Sequence, residues 1–542
     1  MDILDYTVIC FYLIGLLFVG FLLRGQSSSR AYFLGGRELG WKPLTLSVMA
    51  TQLSAVSFIS APAFVGFREG GGLIWLTYEL AVPLAMLFLL GTVLPTLYRS
   101  GVVSIYDYLE RRFGLSTRLI ISVVFQCSRA FSTGIMVYAL TIILQSTMGI
   151  EAWHAIALIG VVTLLYSLQG GMKAVVYGDA IQMVIIVLGT IICAVVGLEA
   201  LGGVSEFLQR VPAERTIAIN FSSLGVNGDS FGFLPMVMGG IILYASYYGC
   251  DQSEAQRALS AKNEADLKKM MIANGLLRFP ITLLYCMSGL IVGTLAFSDP
   301  SFLNQIPSDN PDWLMPIFIL NYLPHGIIGL LVVAILAAAM SSLSSAINSL
   351  AAVSVEDISR ALNKDIEPKR YLFIAKVMGI VWGVIILILS LNAGNIAPTV
   401  IEAINKVGSV FFGPVLAVFL LGMLSKVVRG FDVNLGLVTG VFTNIVIAFF
   451  IHNIFWFWWN VIGFVTAIVM AVLSSQLRSK GASVDDAHSK SIESIESTEQ
   501  GETKGSIATK KHSVLTPAVM TVLLSYFLLL VFVCWKMPDW FA

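Results

Sequence analysis

Charge is what this chain has least of. Only 12% of its 542 residues are Asp, Glu, Lys or Arg, while 57% are hydrophobic. A soluble domain carries about a quarter charged residues, so an ordinary water-soluble fold is excluded. The formal net charge is zero, and no nucleic-acid partner is expected. Cysteine chemistry is missing too. Cys10, Cys127, Cys193, Cys250, Cys286 and Cys534 all fall in apolar runs, with no disulfide or metal spacing, and read as small packing residues. His154, His325, His452, His488 and His512 are scattered, and no nucleophile–base constellation, zinc spacing or phosphate loop accompanies them. An enzyme is therefore the least expected class. The N-terminal stretch MDILDYTVICFYLIGLLFVGFLLRG lacks a basic leader and a small-residue cleavage site, and reads as a retained helix.

What the chain does have is repeated apolar runs of bilayer length, with a mean hydropathy of +0.84. They read as fourteen spans: 3–23, 44–66, 73–97, 119–148, 152–169, 174–199, 233–250, 272–297, 327–352, 370–391, 397–424, 434–452, 455–474 and 514–536. Lys and Arg cluster after odd-numbered spans, as in Arg99, Arg111, Arg112 and Arg118, or Arg257, Lys262, Lys268 and Lys269. The connection after the eighth span instead holds Asp299, Asp309 and Asp312, with no Lys or Arg. Positive loops stay cytoplasmic. The expectation is a multi-pass protein of the plasma (inner) membrane with both termini outside. Residues 475–513, rich in Ser, Glu and Lys, read as a flexible cytoplasmic linker.

Ionisable residues at bilayer depth are costly and commonly face a cavity or a partner. Glu79, Arg129, Asp179, Arg278 and Lys406 are such residues. Span 2, LSVMATQLSAVSFISAPAFVG, has Thr51, Gln52, Ser54 and Ser57 in its middle. Span 7 carries Gly239-Gly240 and then Gly249-Cys250-Asp251-Gln252. Both are easily interrupted. Discontinuous helices at matching places in two halves point to a midplane site in secondary transporters. Spans 2–6 and 7–11 then form two inverted repeats of five. In span 9, Ser341, Ser344 and Ser345 share one helical face at i, i+3 and i+4, with Ser342 about 100° round. Such serines serve close helix packing, or hydroxyl ligation of a hard cation beside freed carbonyls.

Several ordered motifs carry a family resemblance: YFLGGRELGW (32–41), SIYDYLERRFG (104–114), YSLQGGMKAVVYGDAIQ (166–182), QRALSAK (256–262), LAAAMSSLSSAINS (336–349) and GPVLAVFLLGML (413–424). The chain resembles the sodium:solute symporter family over residues 5–475. That resemblance implies an all-α polytopic membrane protein with a LeuT-like five-plus-five fold and broken helices. Its units are a first helix and cytoplasmic loop (1–43), repeat one (44–200), an extracellular loop (201–232), repeat two (233–424), two accessory helices (425–474), the linker (475–513) and a last helix (514–542).

The resemblance further implies sodium as the coupling ion. A first site would use carbonyls of Ala50, Leu53 and Ala338 with the hydroxyls of Ser341 and Ser342. A second would use Asp179, Ser344 and Ser345 with Ser341. Gly178 stands where the family usually has threonine. The solute site would draw on Ser54, Ser57, Glu79, Arg129, Tyr247 as an inner gate, Arg278 and Asn405. Two solute classes compete. Glu79 matches the acidic residue that sugar-transporting members use. Ser54 and Ser57 look like the hydroxyl pair of sialate transporters, and Arg129 would grip a carboxylate. A sugar or polyol is favoured, because Glu79 repels an anion unless Arg129 offsets it. The alternative is a small carboxylate. An ion channel or a membrane sensor is the rival class: a channel wants a continuous pore, and a sensor wants a signalling domain.

Overall fold

A computed structural model of the chain describes residues 1–22, 37–53, 55–102, 104–157, 159, 172–228, 231–361, 368–481 and 515–541. Among these there is no strand, only an isolated bridge between Leu39 and Ala261. A bilayer offers the backbone no hydrogen-bond partners, so spanning segments satisfy themselves as helices. Among the described residues, ten helices are long and apolar enough to cross a membrane, or eleven counting one bent pair as a single span.

The helices that position the site are, in chain order, α1 (Ile3–Leu22), α2 (Trp41–Gln52), α3 (Ala55–Gly66), α4 (Leu73–Gly91), α5 (Val93–Arg99), α6 (Ile105–Phe113) and α7 (Leu115–Met148). After them come α8 (Met172–Leu201), α9 (Phe233–Cys250), α10 (Gln252–Leu259), α11 (Glu264–Ser298), α12 (Leu314–Tyr322), α13 (Ile327–Ala361) and α14 (Pro368–Ser390). The chain ends with α15 (Val400–Leu424), α16 (Gly430–Phe450), α17 (Phe457–Gly481) and α18 (Pro517–Lys536). Helices therefore stand at thirteen of the fourteen expected spans; of the fifth, 152–169, only residues 152–157 and 159 are described, and they are helical.

Three boundaries differ from expectation. α17 runs to Gly481, so residues 475–481 continue a helix and are not linker. Arg478 pairs with buried Asp432 at 2.8 Å, and Ser474 donates to the same carboxylate, which holds those last turns in place. Residues 482–513 of the expected linker lie outside the described residues. Within the 201–232 loop, Val204–Arg210 and Ala213–Thr216 are short helices. Span 3 turns at Thr92 (φ −131°, ψ −74°), which separates α4 from α5.

Span 2 is broken as expected; in span 7, α9 runs unbroken through Gly239-Gly240 and the chain breaks only after it, at Asp251. α2 ends where Leu53 leaves helical geometry (φ −86°, ψ 53°), and the pair α2–α3 is bent by 54°. Side chains there supply substitute hydrogen bonds: Thr51 Oγ1 donates to Ser47 O (2.9 Å) and Ser57 Oγ to Gln52 O (3.3 Å). α9 stops at Asp251, which is extended (φ −87°, ψ 128°) and caps α10 by accepting from Ser253 N–H at 2.8 Å. The broken pair α2–α3 sits at the centre: α2 packs on α8, α10 and α11, while α3 packs on α7, α11, α13 and α15. Its crossing with α11 is backbone against backbone. A Cβ on Gly289 would lie 2.3 Å from Pro62 Cα, and one on Gly293 2.2 Å from Gly66 O. Small residues at a crossing are how membrane helices gain close van der Waals contact.

Candidate functional site

Two buried ionic groups flank the breaks. In the first, the Arg278 guanidinium on α11 forks onto Glu79 on α4, Nε to Oε2 at 2.9 Å and Nη2 to Oε1 at 3.1 Å. These side chains are 2% and 1% exposed, so the pair is sealed from water. Arg278 also donates to Tyr244 Oη (3.4 Å), and Tyr244 stacks on Tyr78 with ring centroids 5.2 Å apart. Around this pair are buried polar atoms with no hydrogen-bond partner among the described residues: Arg278 Nη1, Thr282 Oγ1 and Tyr285 Oη on α11, and Tyr248 Oη on α9. Tyr285 meets Phe58 of α3 edge-on, with centroids 6.4 Å apart, which ties this polar set to the broken span beside Ser57. Buried polar atoms are normally paired, so a cluster of unmet donors is one that an acceptor would satisfy.

The second group lies at the α9–α10 break. Asp179 Oδ2 accepts from Ser47 Oγ (2.7 Å) and from Arg257 Nη2 (3.0 Å), and Arg257 Nε donates to Ser47 Oγ (3.0 Å). Arg257 Nη1 donates to Ser253 O at 2.7 Å and lies 3.9 Å from Glu254, whose Oε1 is within 3.5 Å of Tyr247 Oη. Arg129 Nη1 stands 3.8 Å from Asp251 Oδ2. The cluster thus links α2, α7, α8, α9 and α10.

The expected site residues are distributed as follows. Glu79 and Arg278 are brought together, but as partners of each other. Tyr247 and Arg129 gather at the α9–α10 break. Asn405 on α15 donates its amide to Ile401 O in its own helix (2.7 Å). Ser57 is buried at the α2–α3 break. Ala50 and Leu53 sit at the end of α2, and α13, which carries the serines, packs on α3. Ser342 and Ser345 are half-buried on α13, while Ser54 and the side chains of Ala338, Ser341 and Ser344 lie outside the described residues. The charge of Glu79 is offset by Arg278, not by Arg129, which corrects the ground for preferring a neutral solute. Arg257 was missed as a site residue. The motif QRALSAK contains it, but it counts equally well as loop charge, and only the fold brings it to Asp179, 78 positions away in sequence.

At the far end of α3 the chain is fastened to α15. Arg68 forks onto Glu402 at 2.9 and 3.2 Å, and Ser60 Oγ accepts from Ile401 N–H at 2.9 Å. Arg215, from the 201–232 segment, donates to the carbonyls of Val65 (2.9 Å), Arg68 (3.1 Å) and Phe67 (3.2 Å), satisfying the C-terminal end of α3.

Paired broken helices around a buried polar interior define a multi-pass secondary transporter. The sodium:solute symporter family matches residues 32–430, and the chain belongs to that family. It is 29% identical over 439 residues to the sodium/iodide cotransporter of Homo sapiens, covering 80% of this chain and 67% of that one. It is 31% identical over 432 residues to sodium-coupled monocarboxylate transporter 2 of Bos taurus, covering 78% and 68%. A solved structure of a Na⁺-coupled sialic acid symporter, substrate-bound and outward-open, superposes with a TM-score of 0.77. That chain is 24% identical, with 88% of this chain and 98% of that one covered. The fold is therefore the LeuT-like arrangement of these symporters, and the protein is a sodium-coupled solute symporter.

Proposed function

We propose that the protein carries a small organic carboxylate inward together with sodium. The observation that carries this reading is the sealed Arg278–Glu79 fork. It cancels the acidic charge that would repel an anion, and leaves Arg278 Nη1, Thr282, Tyr248 and Tyr285 as unmet donors. A carboxylate is an acceptor for such donors. Two relatives named above carry anions, a monocarboxylate and iodide, by their names. A sugar or polyol is the second reading, supported by the acidic residue at position 79.

Sodium would be held by carbonyls of Ala50, Leu53 and Ala338 with the hydroxyls of Ser341 and Ser342. The break after Gln52 and the packing of α3 on α13 support this placement. Binding there would order the broken span and complete the solute pocket, and rocking of the two repeats would then open it inward. A second sodium at Asp179, Ser344 and Ser345 would have to compete with the guanidinium of Arg257, so one ion is the reading we carry forward. The Lys and Arg pattern supports both termini outside a plasma (inner) membrane.

Energetics separate the readings. One charge crossing 100 mV yields about 2.3 kcal/mol, and a tenfold sodium gradient adds about 1.4 kcal/mol. One sodium with a neutral sugar supports on the order of 500-fold accumulation; with a monovalent anion the charges cancel and only about tenfold remains. The test is uptake into proteoliposomes of short carboxylates, hexoses and polyols, with sodium or choline outside. Sodium-dependent carboxylate uptake insensitive to an imposed potential is the expected outcome. Sodium-dependent hexose or polyol uptake without carboxylate uptake overturns the reading.

A further inference from the structure

The connection between α11 and α12 and the segment before α15 enclose a cavity of about 340 Å³, away from both groups described above. Its lining includes Asp309, Asn310, Asp312, Asn395 and Tyr138. By the charge pattern this is the outer side of the membrane. Residues 299–324 and 391–405 contain no Lys or Arg, so the carboxylates are not answered by a cation from their own segments.

Asp312 is the unusual member. It is 2% exposed. Its Oδ2 accepts from Val400 N–H at 2.8 Å and so caps α15. Its Oδ1 has no hydrogen-bond partner among the described residues. A buried carboxylate oxygen without a partner is expensive, and is retained where something else meets it. Asn310 spends an amide N–H on Tyr138 Oη (3.1 Å), a donor contact that leaves its amide oxygen for another partner.

We propose that Asp309 and Asp312, with amide oxygens of Asn310 and Asn395 and water, form a binding site for a hard, oxygen-seeking metal cation at the outer mouth, separate from the coupling sodium. Two carboxylates with amide oxygens suit Ca²⁺, which takes about six to eight oxygens; Na⁺ shares the same ligand chemistry. The volume leaves room for the ion and its remaining waters, each of which needs about 30 Å³. The cation would meet the orphaned oxygen of Asp312 while the other oxygen keeps α15 capped.

The experiment is equilibrium binding of ⁴⁵Ca²⁺ and, separately, of ²²Na⁺ to the full-length protein in nanodiscs. The proteins compared are the wild type, Asp309→Asn, Asp312→Asn and the double variant. Asp309 is exposed, so its variant tests the site without touching the core. Asp312→Asn keeps an oxygen for Val400 N–H. The expected result is one Ca²⁺ bound per chain, weakened about tenfold or more in each single variant and lost in the double. Loss of one bound Na⁺ on the same variants, with no Ca²⁺ bound, assigns the site to sodium. Binding of both ions unchanged in the double variant overturns the proposal.

Discussion

Arg278 and Glu79 are each other's partner: two hydrogen bonds of 2.9 and 3.1 Å join α11 to α4, and both side chains are almost fully buried. A fork of this kind is geometric as well as electrostatic. Replacing Arg278 by Lys keeps the charge and loses the second prong. The expected outcome of Arg278→Lys is folded protein whose half-saturating carboxylate concentration rises about tenfold or more. Glu79→Gln strands a buried guanidinium and should lower the melting temperature, corresponding to about 3–5 kcal/mol. Uptake kinetics and thermal melting of the purified variants check the two.

Asp179 and Arg257 invite a double-mutant cycle. Asp179→Asn or Arg257→Gln alone leaves one buried charge without its partner, at a cost of about 3–5 kcal/mol. The double variant removes both charges and should recover part of that loss. Melting temperatures of the four proteins give the coupling. A melting temperature unchanged by Asp179→Asn, with fewer sodium ions carried per solute, would instead assign Asp179 to the ion.

For the coupling ion, Ser341→Ala with Ser342→Ala should raise the half-saturating sodium concentration roughly tenfold or more, equivalent to about 1.4 kcal/mol. The measurement is sodium-dependent uptake at fixed solute. An unaltered sodium dependence rules α13 out as a ligand-bearing helix.

The crossing of α3 and α11 permits no side chain at Gly289, where a Cβ would stand 2.3 Å from Pro62 Cα. Overpacking costs about 1–3 kcal/mol or more when backbone blocks relaxation. Gly289→Ala should therefore reduce the yield of monodisperse protein. Gly178→Ala, where nothing lies within 4 Å of the added carbon, serves as the control. Size-exclusion profiles at equal expression decide the outcome.

Much of the fold was legible in the sequence, because bilayer thickness fixes helix length and lipid forbids unpaired backbone. Thr51, Gln52, Ser54 and Ser57 in one apolar run announced the first break, and Gly249 to Gln252 the second. The pairing of charges was not legible. Glu79 and Arg278 are 199 positions apart, and Asp179 and Arg257 are 78 apart; a sequence shows that each is costly but not which opposite charge meets it. The lean between the two solute classes turned on which arginine stands beside Glu79, and only the fold shows that it is Arg278. The end of α17 was misplaced because Arg478 looks solvated until Asp432, on another helix, is seen to hold it.

Arg215 grasps three carbonyls at the tip of α3, so the segment bearing it is harnessed to the second half of the broken span. A surface stretch that reads as mere connection thus becomes a handle on that helix. A fluorophore on Phe221, 56% exposed in the same segment, would report whether α3 moves when sodium and solute are added, without entering the interior.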